Sequence, residues 1–337
     1  MHMLASTGER VLVIGADGAL GSLTASAFER AGWEVLRGSR LPSRCRDWRR
    51  IDLDLPATVT PSLAEADVIV DTVPHPGVVA EQSIIDRGGL ILNSAAPPTA
   101  WTQRLYTSRI SPAGTVVLGA GIAPGLTNLV AAGLLAAHPD ADEVELVFTL
   151  SAGATSGRAG HEFVHRNLTR RAEHETIAIP LPPPFGTREC LSFAESERGW
   201  IGDLAGARRV RCYVCFAEVE VHDALLARNR LGTISALDQA AFVRGASVSG
   251  SGVSSEPVAH WVCVRRDGVR LAAETLRCAG EYRGAAHATV ALAQALQDAR
   301  ARAPLPTGVF GPEDLVALAD LKPYLTNAGI RVSSEPV

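Results

Sequence analysis

Gly15-Ala16-Asp17-Gly18-Ala19-Leu20-Gly21 follows the apolar run Val11-Leu12-Val13-Ile14 and opens an amphipathic stretch that reaches Phe28. Apolar run, glycine turn and amphipathic stretch read as strand, tight turn and helix. Each glycine has its own reason. The first lets the chain turn sharply, the second lets the backbone approach a pyrophosphate, and the third lets helix and strand pack closely. The helix start then offers free N–H groups and the positive end of a dipole to phosphate oxygens. The spacing G-x-x-G-x-x-G is a variant of the dinucleotide fingerprint, and its place between strand and helix gives it weight. A plain βα turn is the alternative.

The alternation continues outward from this turn. Trp33–Arg37, Arg49–Leu53, Ala66–Val73, Leu90–Asn93 and Thr115–Leu118 read as strands, and 20–31, 78–86, 102–110 and 126–137 as helices. Strand 66–73 is almost continuously apolar, as expected where helices cover both faces. The fold class is α/β, a doubly wound parallel Rossmann sheet with right-handed crossovers. The pattern changes after Pro139. Glu143–Ser151, Val210–Val221, Val258–Arg266 and Val269–Cys278 read as strands, and 162–172 as a helix. Pro180 to Pro184 reads as a loop and Arg266-Asp267-Gly268 as a hairpin turn. A helix over 285–303, a capped helix after Gly311 and a strand at 330–332 close the chain. Expected domains are 1–138, dinucleotide-binding; 139–282, an inserted α+β substrate and dimerisation domain; and 283–337, returning to the first.

Composition removes several function classes. Thirty-two basic against 36 acidic residues give a formal charge of -4. No basic field for nucleic acid and no polybasic membrane patch exists. The uncharged stretch 115–137 is interrupted by Gly119, Gly121, Pro124 and Gly125, so it reads as strand, turn and buried helix rather than a membrane span. Pro124 fits the first turn of that helix. No apolar signal-peptide run opens the chain, so the expected compartment is the cytoplasm. Lys322 is the only lysine, which disfavours Schiff-base chemistry. None of Tyr106, Tyr213, Tyr282 and Tyr324 has a lysine four residues on, which disfavours short-chain alcohol dehydrogenation. Cys212 and Cys215 have metal-knuckle spacing without a partner pair. They sit on one strand and face opposite sides. No metal is expected.

The strand after the glycine helix ends in Arg37-Gly38-Ser39-Arg40 and carries no acid to hold a ribose 2′-hydroxyl. Guanidinium and hydroxyl groups suit a 2′-phosphate, so NADP(H) is expected over NAD(H). Asp52 and Asp54 follow the third strand, where a loop can hold adenine.

A second segment, Gly119-Ala120-Gly121-Ile122-Ala123-Pro124-Gly125-Leu126-Thr127-Asn128, taken with the fingerprint, resembles the saccharopine dehydrogenase-like family, including its saccharopine reductase and carboxynorspermidine dehydrogenase branches. Asp71-Thr72-Val73-Pro74, Asn93-Ser94, Gly308–Glu313 and Gly329–Val332 are similar to further parts of it. The likeness covers most of 9–135 and 283–332. It implies a nicotinamide cofactor held by Gly15, Asp17, Gly18, Ala19, Leu20, Gly21, Arg37, Ser39, Arg40, Asp52, Thr72, Val73, Pro74, Ser94, Ala95 and Gly121. It also implies interconversion of C=N and CH–NH bonds, and a homodimer formed through a free face of the second domain's sheet. The lysine of the family's lysine-and-histidine pair has no match here.

Candidate chemistry follows from position. His75 ends the fourth strand, where ligands bind in open α/β sheets, and a histidine there suits proton donation. Arg158, His161, His165 and Arg166 crowd one helix. The two histidines, four apart, share a face. Solvated surface, substrate carboxylate clamp and metal pair all fit this cluster. His75 and His165 are the expected acid–base candidates, and Arg158, His161, Arg166 and Asn128 the expected substrate contacts. His75 and the helix cluster are expected to converge on the nicotinamide from the two domains. The expected function is NADP-dependent hydride transfer at a C=N bond of a small amino-acid-like or amine substrate. A C=C reductase and a non-catalytic NADP-binding regulator are the rivals.

Overall fold

The computed structural model describes residues 8–42, 46–75, 77–95, 105, 112–151, 158–193, 209–240, 242 and 257–335. In chain order come β1 (Arg10–Ile14), α1 (Ala19–Arg30), β2 (Glu34–Ser39), β3 (Trp48–Arg50), α2 (Pro56–Leu63), β4 (Val68–Asp71), α3 (Val79–Arg87), β5 (Leu90–Asn93), β6 (Thr115–Leu118) and α4 (Leu126–Ala137). Next come β7 (Glu143–Leu150), α5 (Arg158–Leu168), β8 (Thr176–Leu181), β9 (Gly186–Ser192), β10 (Arg209–Phe216), α6 (Val219–Arg230), β11 (Pro257–Arg266) and β12 (Val269–Ala279). The chain closes with α7 (Glu281–Arg302), β13 (Gly308–Phe310), α8 (Leu318–Asn327) and β14 (Arg331–Glu335). The described residues divide into two compact units, within Met1–Leu126 plus Arg283–Ala328 and within Thr127–Tyr282 plus Gly329–Val337.

The first unit holds a seven-stranded sheet in the order β13-β6-β5-β4-β1-β2-β3. Every pairing in it is parallel. Val11, Leu12 and Val13 of β1 and all four residues of β4 are buried, so both faces of the sheet are covered. That is the doubly wound arrangement read from the alternating pattern. Helix α7 joins this unit through Thr289, whose Oγ1 donates to the Ala120 carbonyl at 2.7 Å. Pro124 lies in the turn before α4, outside the helix. Of the expected helix 102–110, only Leu105 lies among the described residues, and it is helical.

The second unit holds a mixed sheet in the order β14-β12-β11-β7-β10-β9-β8. Among the described residues only β7 and β10 pair in parallel. Asp267 and Gly268 both have positive φ, 50° and 79°, as a two-residue hairpin turn requires. Several expectations are corrected here. The strand expected over 210–221 ends at Phe216, and α6 begins three residues later. Pro180 belongs to β8, an edge strand where its missing N–H costs no ladder bond. The last strand, β14, pairs with β12 and so adds to the second sheet instead of returning to the first unit. Nor is one face of this sheet free. Val147, Tyr213 and Trp261 on one side and Phe148, Val214 and His260 on the other are all buried within the single chain.

Among the described residues no helix is long and apolar enough to cross a membrane. None of their His, Cys, Asp and Glu side chains form a group placed to hold a metal ion. Cys212 and Cys215 point to opposite faces of β10, and both are buried.

Candidate functional site

The three glycines of the β1–α1 turn have distinct surroundings. Gly15 has φ +82°, and a Cβ on it would stand 2.5 Å from Val73 Cγ2 and 2.8 Å from Thr72 Oγ1. On Gly21 a Cβ would lie 2.0 Å from the Gly15 carbonyl oxygen. A Cβ on Gly18 would meet a single described atom within 4 Å, the Gly15 oxygen at 3.2 Å. Gly15 and Gly21 are therefore closed in by the protein itself, while Gly18 is bounded on one side alone, by the Gly15 oxygen.

Gly18 is also the N-cap of α1 and offers no side-chain cap, and the first turn holds no acidic residue. Among the described residues, the N–H groups of Ala19, Leu20 and Gly21 are thus a helix start that no side chain caps. That donor set, with its dipole, fits a pyrophosphate. The turn is anchored from behind: Gly15 and Ala16 N–H both donate to the Gly38 carbonyl, at 2.9 and 3.1 Å. Asp17 lies exposed in the turn.

At the end of β2 the expected adenosine-side residues have different commitments. Arg37 is ion-paired with Glu29 of α1 at 2.7 Å. Ser39 is buried; its hydroxyl donates to the Leu41 carbonyl at 2.8 Å and accepts from Trp48 Nε1 at 3.3 Å. Arg40 is exposed. The three do not present one common phosphate-facing surface.

His75 follows β4 and meets the β3 loop. Its Nε2 is 3.1 Å from Asp54 Oδ1, and its Nδ1 accepts the Gly77 N–H at 3.0 Å. Since Nδ1 accepts, the proton sits on Nε2 and is donated to Asp54. Both ring nitrogens are therefore engaged. Asp52 is not aimed outward for adenine. Its Oδ1 accepts the Asp54 N–H at 3.1 Å and shapes the turn into α2.

The ends of β4 and β5 form a linked edge. Thr72 Oγ1 donates to the Ile14 carbonyl at 2.7 Å, clasping β4 to β1. Val73 is half-buried against Gly15, and Pro74 is exposed. Ser94 donates both N–H and Oγ to the Asp71 carbonyl, at 2.9 and 3.3 Å. Ala95 N–H goes to Asn93 Oδ1 at 3.0 Å. Beneath them Asp71 and Glu81 are buried side by side. Glu81 was not foreseen, because in sequence it is one acid on an amphipathic helix. Further along, Gly121 N–H bonds the Pro124 carbonyl at 3.1 Å and closes the turn into α4. Asn128 is fully buried, so it does not reach an open surface.

In the second unit the α5 cluster splits between two faces. His161 is buried, and His165 is half-buried with Nε2 2.8 Å from the Leu237 carbonyl. Arg158 is exposed and paired with Glu162 at 2.7 Å; Arg166 is also exposed. Helical geometry explains the split. Residues 161, 165 and 168 share one stripe, and 158, 162 and 166 another.

No family model matches the chain, and no curated protein sequence does. Solved structures do. The chain is similar to saccharopine dehydrogenase (L-Glu forming) from Saccharomyces cerevisiae at 12% identity and TM-score 0.62, covering 98% of this chain and 100% of that one. It is also similar to a meso-DAPDH variant with DAP from Clostridium tetani, at 12% identity and TM-score 0.53, covering 93% and 96%. At this identity the likeness concerns the fold. The class is a parallel Rossmann sheet joined to a second, mixed sheet. Within that class, the fold is saccharopine dehydrogenase-like.

Proposed function

We propose that this chain is an NADP(H)-dependent oxidoreductase of the saccharopine reductase type, acting on a C=N or CH–NH bond of a small amino-acid-like or amine substrate. One observation carries the reading: the uncapped start of α1 behind Gly15, beside a Gly18 that only the Gly15 oxygen approaches among the described residues. A bound nicotinamide would supply the hydride chemistry, and the protein supplies position and electrostatics. The backbone N–H groups of Ala19, Leu20 and Gly21 would hold the pyrophosphate. Arg40, and Arg37 once released from Glu29, would take the 2′-phosphate. The edge formed by Thr72, Val73, Pro74, Ser94 and Ala95 would border the nicotinamide end, as ligands bind beyond the carboxyl ends of parallel strands. Two solved structures of the same fold are dehydrogenases by name, which favours an oxidoreductase over a regulator.

On the substrate side the exposed guanidinium of Arg166 suits a carboxylate better than its neighbours on α5 do. Arg158 is held by Glu162 and His165 by a carbonyl. His75 is the proton donor of this reading, oriented by Asp54. The reading keeps the homodimer that the family resemblance implies; light scattering giving a monomer mass at high micromolar concentration would overturn it.

The deciding experiment is NADPH consumption with a panel of imines formed in place from 2-oxo acids and amines. Turnover with these and none with activated alkenes supports the reading. Turnover with alkenes alone makes the chain a C=C reductase. NADPH binding without consumption under either panel makes it a cofactor-binding regulator.

A further inference from the structure

We infer that Asp71 and Glu81 are positioning residues: a carboxyl pair sharing one proton, which fixes the two loops bordering the proposed cofactor site. The inference deepens the reading above and rests on it for the identity of the ligand. The geometry itself lies wholly within the first unit.

Asp71 is the last residue of β4, Asn93 is its register partner at the end of β5, and Glu81 stands in the first turn of α3. Their relative exposures are 2%, 3% and 1%. The carboxyl groups of Asp71 and Glu81 lie side by side, within reach of a hydrogen bond between them. A carboxylate oxygen only accepts, so that bond exists only with a proton on one of the two.

The pair is the middle of a continuous chain. Val73 N–H donates to Asp71 Oδ1 at 2.8 Å. Asn93 Nδ2 donates to Glu81 Oε1 at 2.5 Å, which turns Asn93 Oδ1 toward the Ala95 N–H at 3.0 Å. The loop after β4 is thereby tied to the loop after β5. Val73 is in turn the residue against which Gly15 closes. Two apolar side chains would fill the same space but would leave Val73 N–H and Asn93 without partners, which is costly in a buried site.

The electrostatics agree with the geometry. Burial first, and then the charge of Glu81, push the Asp71 carboxyl well above the ordinary carboxylate range, against the pull of the Val73 N–H. No cation among the described residues acts on Asp71. Asp86 and Arg87, also on α3, and Asp17 in the β1–α1 turn are exposed, and His75 after β4 turns to Asp54. Loss of the shared proton leaves two buried anions in contact. Repulsion between them then opens the link between the loops.

The test compares the parent protein with Glu81→Gln and Glu81→Ala. The Gln amide still accepts from Asn93 and donates to Asp71, so it replaces the shared proton with a permanent one. Two measurements are made from about pH 5 to about pH 9: amide exchange at Val73 and Ala95, corrected for intrinsic rates, and NADPH affinity by calorimetry. In the parent, protection at both amides and affinity should fall together on raising pH, by about tenfold or more. Glu81→Gln should hold both nearly constant, and Glu81→Ala should lose protection at every pH. Identical pH profiles in the parent and Glu81→Gln would overturn the proposal, whatever the stability of Glu81→Ala. Should the parent bind no nicotinamide nucleotide, the cofactor reading fails, and the exchange data alone still decide whether the pair holds the loops.

Discussion

Gly21 sits against Gly15 so closely that a Cβ on Gly21 would lie 2.0 Å from the Gly15 carbonyl oxygen. The contact is backbone on backbone, and no rotamer change relieves it. Gly18, three residues before Gly21 on the same turn, has only the Gly15 oxygen nearby, at 3.2 Å. The two positions therefore predict different failures. Gly21→Ala should destabilise the first unit by several kcal/mol, on the order of an overpacked core site or more. Gly18→Val should cost much less stability than Gly21→Ala and weaken NADPH by roughly 100-fold, about 3 kcal/mol. Thermal unfolding and calorimetry on both variants separate the cases. A folded Gly18→Val protein with parental affinity would reduce the glycine run to a plain turn.

Cofactor preference should rest more on Arg40 than on Arg37. Arg40 is exposed, whereas Arg37 must leave Glu29, its partner at 2.7 Å, before it meets a phosphate. Arg40→Ala should weaken NADPH by about 1.5–3 kcal/mol, the worth of one charge-assisted bond, and leave NADH unchanged. Arg37→Ala should cost less. Glu29→Gln should tighten NADPH by freeing Arg37. Equal affinity of the parent for NADH and NADPH would rule out this assignment.

Much of the first unit was readable because its signals are local. Leu90–Asn93 and Thr115–Leu118 are short apolar runs bounded by glycine or polar residues, and both fall where expected. The second unit defeats local reading. Valines at 219 and 221 prolong the alternation of β10 into what is the first turn of α6. Pro180 looks like loop punctuation, yet an edge strand tolerates it. Assigning β14 to the second sheet requires knowing its partner β12, some 50 residues away by the register Arg277 to Arg331. The site divides along the same line. The glycine turn is written in seven consecutive residues. The Asp71–Glu81–Asn93 chain exists only once β4, α3 and β5 pack together, and sequence shows merely a polar residue at each end. The α5 cluster looked like one group because its members are neighbours in sequence, but a helix sends them to two faces.

His260 should make the second unit acid-sensitive. It is buried on β11, its ring 5.7 Å from that of Phe148, and neither ring nitrogen has a hydrogen-bond partner among the described residues. Burial lowers its pKa from 6.5 to about 4. The unfolded chain takes up this proton near the ordinary value, and the folded chain only near the lowered one. Stability from this residue is therefore complete above pH 6.5 and is lost as pH falls through about 4, by about 3 kcal/mol in total. Asp71 has the opposite sign: its raised value costs stability as pH climbs out of the ordinary carboxylate range. His260→Phe keeps the ring contact and removes two unpartnered nitrogens. It should flatten the acid limb and add about 1–3 kcal/mol near neutrality. Denaturant titrations at several pH values provide the measurement, and an unchanged acid limb in His260→Phe would refute the assignment.

The remaining prediction separates proton transfer from substrate binding. His75 donates Nε2–H to Asp54 at 3.1 Å while Nδ1 takes the Gly77 N–H at 3.0 Å. The proton of the ring sits on Nε2, so delivering it to a product amine means leaving Asp54, while the Gly77 N–H on Nδ1 keeps the ring in place. His75→Asn should then lower kcat by roughly 10²–10⁴-fold with NADPH affinity intact. Asp54→Asn retains an acceptor for Nε2 but not its charge, and should lower kcat less. Arg166→Ala should behave differently, raising KM at nearly constant kcat, because a carboxylate clamp binds ground and transition states alike. Steady-state kinetics over a range of pH reads all three. A His75→Asn enzyme with parental kcat would confine His75 to shaping its loop, and an unchanged KM in Arg166→Ala would return that guanidinium to the solvated surface of α5.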